Sequence, residues 1–315
     1  MKALVTGING FVGRHLFRYL REKGADVYGT VHPDESESPE GGKNIFVADI
    51  RSGGALKRVV RRTRPEVIYH LAAQSFVPEA RKDPCGAVDA NILGSLNMME
   101  AVRLEAPTAK LVLPSSSDVY GRVREEDLPL AEESPVAPVN MYAATKASME
   151  LIARVYGVDF GLRIVVLRLF SHIGPGQRSS FVCSSFAMQL AKIERGEQEP
   201  VIYVGDLKPR RDFTDVRDIA SAYWLAGKKI DANAFYNVAS GRARSIEEVM
   251  QILKRLAKVD FEVKTDPSRL RKTEIPIVVG SSERFRKATG WKPEIAFEQT
   301  IGDMLEWWRE TLHRM

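Results

Sequence analysis

Two cysteines in 315 residues, Cys85 and Cys183, are too few for a disulfide framework and stand at no metal-ligand spacing. They imply a reduced, cytoplasmic setting and no metal. No apolar run reaches membrane length, and the one inside Met1-Lys-Ala-Leu-Val-Thr-Gly7 is too short, and too near a glycine turn, for a signal peptide or a span. Internal repeats and low-complexity segments are absent. The net charge of +5 comes without a nucleic-acid reading motif, and its densest stretch, Lys57-Arg58-Val-Val-Arg61-Arg62-Thr-Arg64, reads as the wet side of a helix. Nucleic acid and membrane are thus set aside as partners, whereas an excess of arginine also suits a small molecule bearing a diphosphate.

What is present is a 44% hydrophobic chain with two alternating periodicities. Short β-rich runs at Lys2 to Thr6, Asp26 to Val31, Asn44 to Val47, Glu66 to Leu71, Lys110 to Leu113 and Arg163 to Leu169 alternate with helical patterns. Those helices are expected at Phe11 to Lys23, Ala55 to Thr63, Asp89 to Glu105 and Tyr142 to Tyr156, and His32 to Gly42 reads as a polar surface loop. Such repetition calls for an α/β fold with a doubly wound parallel sheet covered on both faces, of the Rossmann type. After Leu169 the elements shorten, and Gly174-Pro-Gly176, Gly205 to Pro209 and Asp266-Pro-Ser268 mark loops of a second, smaller lobe. Ala234 to Ala239 reads as one more strand of the main sheet. The division expected is therefore interleaved, with 1–170 and 212–240 forming the dinucleotide-binding part, and 171–211 and 241–315 the smaller lobe.

Gly7-x-x-Gly10-x-x-Gly13 falls where the first strand ends and the first helix begins, so the backbone can turn sharply and offer N–H groups to a pyrophosphate. Dinucleotide folds that prefer NAD usually carry an acid at the end of the second strand, and this chain has Gly29-Thr30-Val31-His32 there. With no carboxylate to repel a 2′-phosphate, NADP(H) is favoured over NAD(H), with Arg14, Thr30 or His32 as its contacts; Asp34, folding back from the loop, would argue the other way. Asp49-Ile50 is placed either to meet the adenine or, through Asp49, to cap the next helix.

Tyr142 and Lys146 lie one helical turn apart, close enough for the ammonium to favour phenolate and make a tunable acid. At the end of the fifth strand stands Leu113-Pro-Ser115-Ser116-Ser117-Asp118-Val119-Tyr120-Gly121, in the crevice where parallel sheets bind ligands. With the glycine turn, His70-Leu71-Ala72-Ala73, Asn91 and the tyrosine–lysine pair, the whole chain resembles the extended short-chain dehydrogenase/reductase family, whose members mostly act on nucleotide sugars.

That resemblance implies Ser116, Tyr142 and Lys146 as catalytic residues, with Asp118 either a base, as the glutamate of sugar 4,6-dehydratases is, or a residue that orients its loop. It implies cofactor contacts at Gly7, Gly10, Phe11, Val12, Gly13, Thr30, His32, Asp49, Ile50, Leu71, Ala72, Ala73, Asn91, Tyr142, Lys146, Leu169 and His172. The segments Phe76 to Glu79, Ser117 to Gly121, His172 to Gln177 with Ser180 to Val182, Arg211 to Asp215, Asp266 to Arg271 with Glu274, and Gly290 to Pro293 are similar to the GDP-4-keto-6-deoxy-D-mannose reductases, which form GDP-D-rhamnose, and several to GDP-mannose 4,6-dehydratases. This adds substrate contacts at Gln74, Val77, Ser116, Ser117, Asp118, Ser171, Phe181, Val182, Arg211, Arg271 and Glu274, the arginines on diphosphate and Glu274 on ribose. Ser171 departs from the asparagine usual there. The implied activity is NAD(P)H-dependent reduction of a 4-keto sugar nucleotide; a 4,6-dehydratase, a 4-epimerase and a cofactor-sensing regulator without chemistry are the alternatives. The apolar Ile92, Met98 and Met99 exceed one core-facing stripe, which either builds a four-helix homodimer interface, as the resemblance implies, or packs internally.

Overall fold

The structure is a computed structural model that describes residues 1–35, 44–231, 233–270 and 275–314. Six strands in chain order, β1 (Lys2–Thr6), β2 (Asp26–Val31), β3 (Ile45–Val47), β4 (Val67–His70), β5 (Lys110–Ser116) and β6 (Arg163–Leu169), lie parallel with the strand Ala234–Val238 in one sheet of seven. Counted from that late strand, the order is Ala234–Val238, β6, β5, β4, β1, β2, β3. The order reverses between β1 and β4, and that switch point opens a crevice at the carboxyl ends of the strands. The fold class read from the sequence is the one observed, and most strand limits agree with it; β5 runs three residues further, so Ser116 ends the strand itself.

Alternation along the strands builds two cores. Val5, Tyr69, Val112 and Leu167 face one side, covered by α1 (Phe11–Glu22) and the later helix α8 (Val216–Lys229), whose Ile219, Tyr223 and Ala226 are buried there. Leu4, Ile68, Leu111, Leu113 and Val166 face the other, covered by α2 (Gly53–Thr63), α5 (Gly94–Glu105) and α6 (Met141–Asp159). Each fully buried aliphatic side chain is worth about 1.5–3 kcal/mol over leaving it in water. Short helices α3 (Val77–Lys82) and α4 (Pro84–Val88), then a π-helical turn Asp89–Leu93, run into α5, so the helix expected from Asp89 is interrupted by a wider turn. Met98 and Met99 are buried in the second core, so that part of the apolar surplus packs internally.

A third core unites α7 (Val182–Glu194), through Phe186 and Leu190, with Val249, Leu253, Met304 and Trp308. The helix α8 (Val216–Lys229) and the strand Ala234–Val238 return the chain from there to the large sheet. Phe285 and Trp291, far along the chain, also sit in the core of the large sheet. Among the described residues no helix is long and apolar enough to cross a membrane.

The glycine turn after β1 shows why glycine is needed there. Gly7 has φ +66°, and a Cβ on it would sit 2.9 Å from Ala72 Cα, while one on Gly13 would run into Gly7 O and lie 2.7 Å from Ile8 O. Gly13→Ala is expected to lower stability by about 2 kcal/mol or more through this overlap with backbone. Gly54→Ala, which meets only the movable tip of Arg58 at 3.6 Å, leaves stability unchanged or higher; thermal unfolding of both variants checks the contrast.

Candidate active site

Helix α6 begins where Asn140 accepts the Ala143 N–H at 2.8 Å, a cap worth about 1 kcal/mol that sets the phase of the whole helix. From that start Tyr142 lies half-buried in the first turn and Lys146 is buried one turn on. The Lys146 ammonium donates to Pro114 O at 2.8 Å and stands 5.9 Å from the centre of the Tyr142 ring. Ser116 ends β5; its Oγ accepts the Asp118 N–H at 3.1 Å and is hydrogen-bonded to the Tyr142 phenol. Serine, tyrosine and lysine, distant in sequence, thus meet at one strand tip.

The electrostatics differ from the expectation in one respect. Burial pushes the Tyr142 phenol above its usual value and the nearby Asp118 carboxylate adds to that, with only the Ser116 hydrogen bond opposing. The phenol is therefore a firmly protonated acid, and the depression expected from Lys146 is not found. Lys146 itself is pushed down to about 8 by burial, against the opposing pull of Glu150. His70, at the end of β4, is pushed down to about 3 by burial and then by Lys146, so it is neutral.

The residues expected to hold a dinucleotide fit one. The first turn of α1 has no acidic residue and no side-chain cap, leaving its N–H groups to an anion. Phe11 stacks on His172 with ring centres 6.1 Å apart and planes 3° from parallel. Val12 lies half-buried against the first core; Ala72 adjoins Gly7 and donates its N–H to Thr6 Oγ1, with Leu71 and Ala73 on either side. Leu169 ends β6, and His172 Nδ1 lies 3.1 Å from Phe170 O.

At the adenosine end, Thr30 is buried, and the His32 ring lies 3.4 Å from an Asp34 carboxylate oxygen and 3.8 Å from one of Asp49. Asp49 binds the Arg51 fork at 2.7–3.0 Å; Ser52, not Asp49, caps the next helix. Ile50 is buried in the second core. Asn91 is held in place: its side-chain carbonyl accepts the Gln74 N–H, and its amide donates to Gln74 O and Thr145 Oγ1.

On the substrate side the Gln74 amide is held by Glu79 and the Phe76 N–H, and Val77 opens α3. Ser117 and Asp118 begin a 3₁₀ turn, and the Ser171 carbonyl accepts the Thr214 N–H. Phe181 packs edge-on against Phe76 at 5.3 Å, just before the exposed Val182. Arg211 donates to Arg210 O and to Ile275 O at 2.8 Å. Arg271 and Glu274, and residues 36–43 of the expected loop, lie outside the described residues.

Sequence reasoning missed Glu150 and Arg168, a buried ion pair behind Lys146. A signal existed: Arg168 interrupts an otherwise apolar strand, and Glu150 repeats the four-residue step of Tyr142 and Lys146.

The family profile described as GDP-mannose 4,6 dehydratase matches residues 4–304. Over 307 residues the chain is 37% identical to the GDP-6-deoxy-D-mannose reductase of Pseudomonas aeruginosa, covering 98% of this chain and 97% of that protein. A GDP-mannose 4,6-dehydratase of Yersinia enterocolitica is 28% identical over 96% of this chain and 92% of its own. Among solved structures, RMD from Pseudomonas aeruginosa complexed with NADPH superposes with a TM-score of 0.88 at 36% identity, covering 98% of this chain and 99% of that one. The Thermus thermophilus UDP-glucose 4-epimerase complex with NAD gives 0.87 at 31%, covering 98% and 99%.

The Lys146 shift has a signed consequence. Its folded value, near 8, lies below the ordinary 10.5, so between those values the unfolded chain binds more protons and the stability contributed by this group rises with pH. Denaturant titrations from pH 8 to 10.5 should show that rise, up to roughly 3 kcal/mol, and Lys146→Met should abolish it.

Proposed function

This chain belongs to the GDP-mannose 4,6-dehydratase family of extended short-chain dehydrogenases/reductases, and we propose that within it the chain is the reductase of a 4-keto-6-deoxy sugar nucleotide, converting GDP-4-keto-6-deoxy-D-mannose to GDP-D-rhamnose with NADPH. The observation that carries this reading is geometric: Ser116 at the end of β5 meets Tyr142 and the buried Lys146 of α6 at one strand tip, where a ketone oxygen finds a hydroxyl to steady it and a phenol to protonate it. The near-full-length similarity to a GDP-6-deoxy-D-mannose reductase supports the same choice.

Bound NADPH supplies the hydride. Residues 1–170 and 212–240 would hold it, the glycine turn and α1 on the pyrophosphate, His32 and Arg14 at the ribose phosphate, and Lys146 at the nicotinamide ribose. Residues 171–211 and 241–315 would hold the sugar nucleotide, with Phe181 and Val182 beside it and Arg211 toward its diphosphate. Ser116 donates a hydrogen bond to the ketone oxygen as charge grows there, a role worth about 2–4 kcal/mol for oxyanion donors. Tyr142 gives that oxygen its proton, so ketone, hydride and proton together make the alcohol. The ammonium of Lys146 then lowers the cost of the phenolate left behind. The enzyme would work in the cytoplasm, which suits the free thiols of Cys85 and Cys183.

A dehydratase or 4-epimerase is the second reading, favoured by the Asp118 carboxylate close enough to act on Tyr142. An NMR time course with GDP-mannose or a UDP-hexose and no added reduced cofactor separates them, since only those enzymes would turn over. Tyr142→Phe is expected to lower kcat for GDP-4-keto-6-deoxy-D-mannose by about 10³-fold or more, with NADPH affinity nearly unchanged by fluorescence titration. Full activity in that variant sinks the assignment, and NADPH binding by the wild type without turnover of any keto sugar would point to a regulator instead.

We also propose a homodimer formed through α6. Leu151, Val155 and Val158 recur along one side of this helix and are 64%, 50% and 77% exposed, an apolar stripe that a second copy would cover. Leu151→Asp with Val155→Asp should yield a monomer in sedimentation velocity, against a wild-type dimer.

A further inference from the structure

We propose that Glu150 and Arg168 are positioning residues of the reaction: as a buried ion pair they fix the serine-bearing tip of β5 and the ammonium of Lys146 against each other. This rests on the ketone reduction proposed above and adds two residues to it.

The geometry is specific. Lys146 and Glu150 are successive inward positions of α6, and they hold consecutive residues of β5: Lys146 donates to Pro114 O, and Glu150 Oε1 accepts Ser115 Oγ at 2.5 Å. Ser115 is paired in register with Arg168 on β6, so both side chains face α6, and the Arg168 fork meets both Glu150 oxygens, Nε at 3.0 Å and Nη2 at 2.7 Å. Strand alternation then turns Ser116 away from Glu150. The other arm of Arg168, Nη1, donates to Glu132 O at 2.9 Å and to the Tyr120 hydroxyl at 3.1 Å, and that hydroxyl donates to Asn237 Oδ1 at 2.7 Å. Asn237 in turn donates to Leu130 O at 3.0 Å. Ser115 is therefore joined to α6 directly, and the turn after Ser116 and the strand Ala234–Val238 through one guanidinium.

Stability alone does not explain such a pair. Two buried charges seldom hold a fold better than apolar side chains of the same volume would, and they persist only if every partner is present. What an ionic fork adds is direction: bidentate bonds from a planar guanidinium fix angle as well as distance. Lys146 also needs an anion. The groups facing it are Tyr142 and Glu150 on its own helix and His70 on β4, with Arg168 behind Glu150 and Asp118 beyond Tyr142. Of these, Glu150 is the carboxylate that supports the ammonium charge.

The experiment uses the full-length protein with three variants. Glu150→Gln is expected to lower kcat about 10- to 100-fold, with KM for NADPH and for the keto sugar within threefold of wild type. Ser115→Ala, which removes one hydrogen bond and leaves the ion pair, should lower kcat several-fold with an unchanged melting temperature. In Glu150→Met/Arg168→Met the melting temperature should return to wild type while kcat stays low. Recovery of kcat in that double variant, or wild-type kcat in both single variants, overturns the proposal. If the wild type reduces no keto sugar, the proposed function fails separately, and ¹³Cε lysine NMR decides this inference: Glu150→Gln should move the Lys146 titration to lower pH, and an unmoved titration refutes it.

Discussion

An ammonium held where water is excluded is costly unless something nearby answers its charge, and Lys146 is such a group. It is answered by a carbonyl of β5 and a carboxylate of its own helix, both within the contact between α6 and the strand tip. The same contact brings Ser116 to Tyr142, so the chemistry follows from how one helix lies on one strand. Apolar burial presses the two together: Met149 and Ala153 of α6 pack into the core with Leu111, Leu113 and Val166. The polar groups at the carboxyl end of the sheet then set the direction that non-directional burial leaves open.

A second carboxylate does comparable work between the lobes. Asp212, buried, accepts N–H groups from Ser240, Gly241 and Gly280 and the hydroxyl of Ser240, tying two separate segments to its own strand. Three residues on, Asp215 caps α8, pairs with Arg217 and accepts from Thr300 Oγ1. Within the segment Arg211 to Asp215, then, the two aspartates serve the architecture, while Arg211 donates to the carbonyls of Arg210 and Ile275. Similarity of such a segment to a family shows that the whole is kept together; it does not say which member meets a ligand.

Much of the fold was legible because period-two and helical patterns are local: Val5 and Tyr69 against Leu4 and Ile68 state the two faces of the sheet before any coordinates are known. The glycine turn, the tyrosine–lysine step and the serine at the strand end were legible for the same reason. Less visible was whatever depends on a partner far away in sequence. The bonds of Asn91 to Gln74 and Thr145 could not be read from spacing, and Met98 reads as surplus until the second core is seen to enclose it. For Tyr142, spacing reports the proximity of Lys146 but not the burial that pushes its phenol up. The Glu150–Arg168 pair escaped because a carboxylate four residues after a lysine is usually a solvated helix pair.

The strand Ala234–Val238 carries one further implication. It pairs with β6 along its full length, yet more than sixty residues of chain separate the two, among them the whole of α7 and α8. During synthesis β6 must therefore wait, its outer edge bare, until the ribosome has delivered that later stretch, and α1 likewise lacks the helix that covers it. A fragment ending near residue 170 would hold Ser116, Tyr142 and Lys146 and still be an aggregation-prone torso. The two lobes, although each has its own core, are for the newborn chain a single folding event.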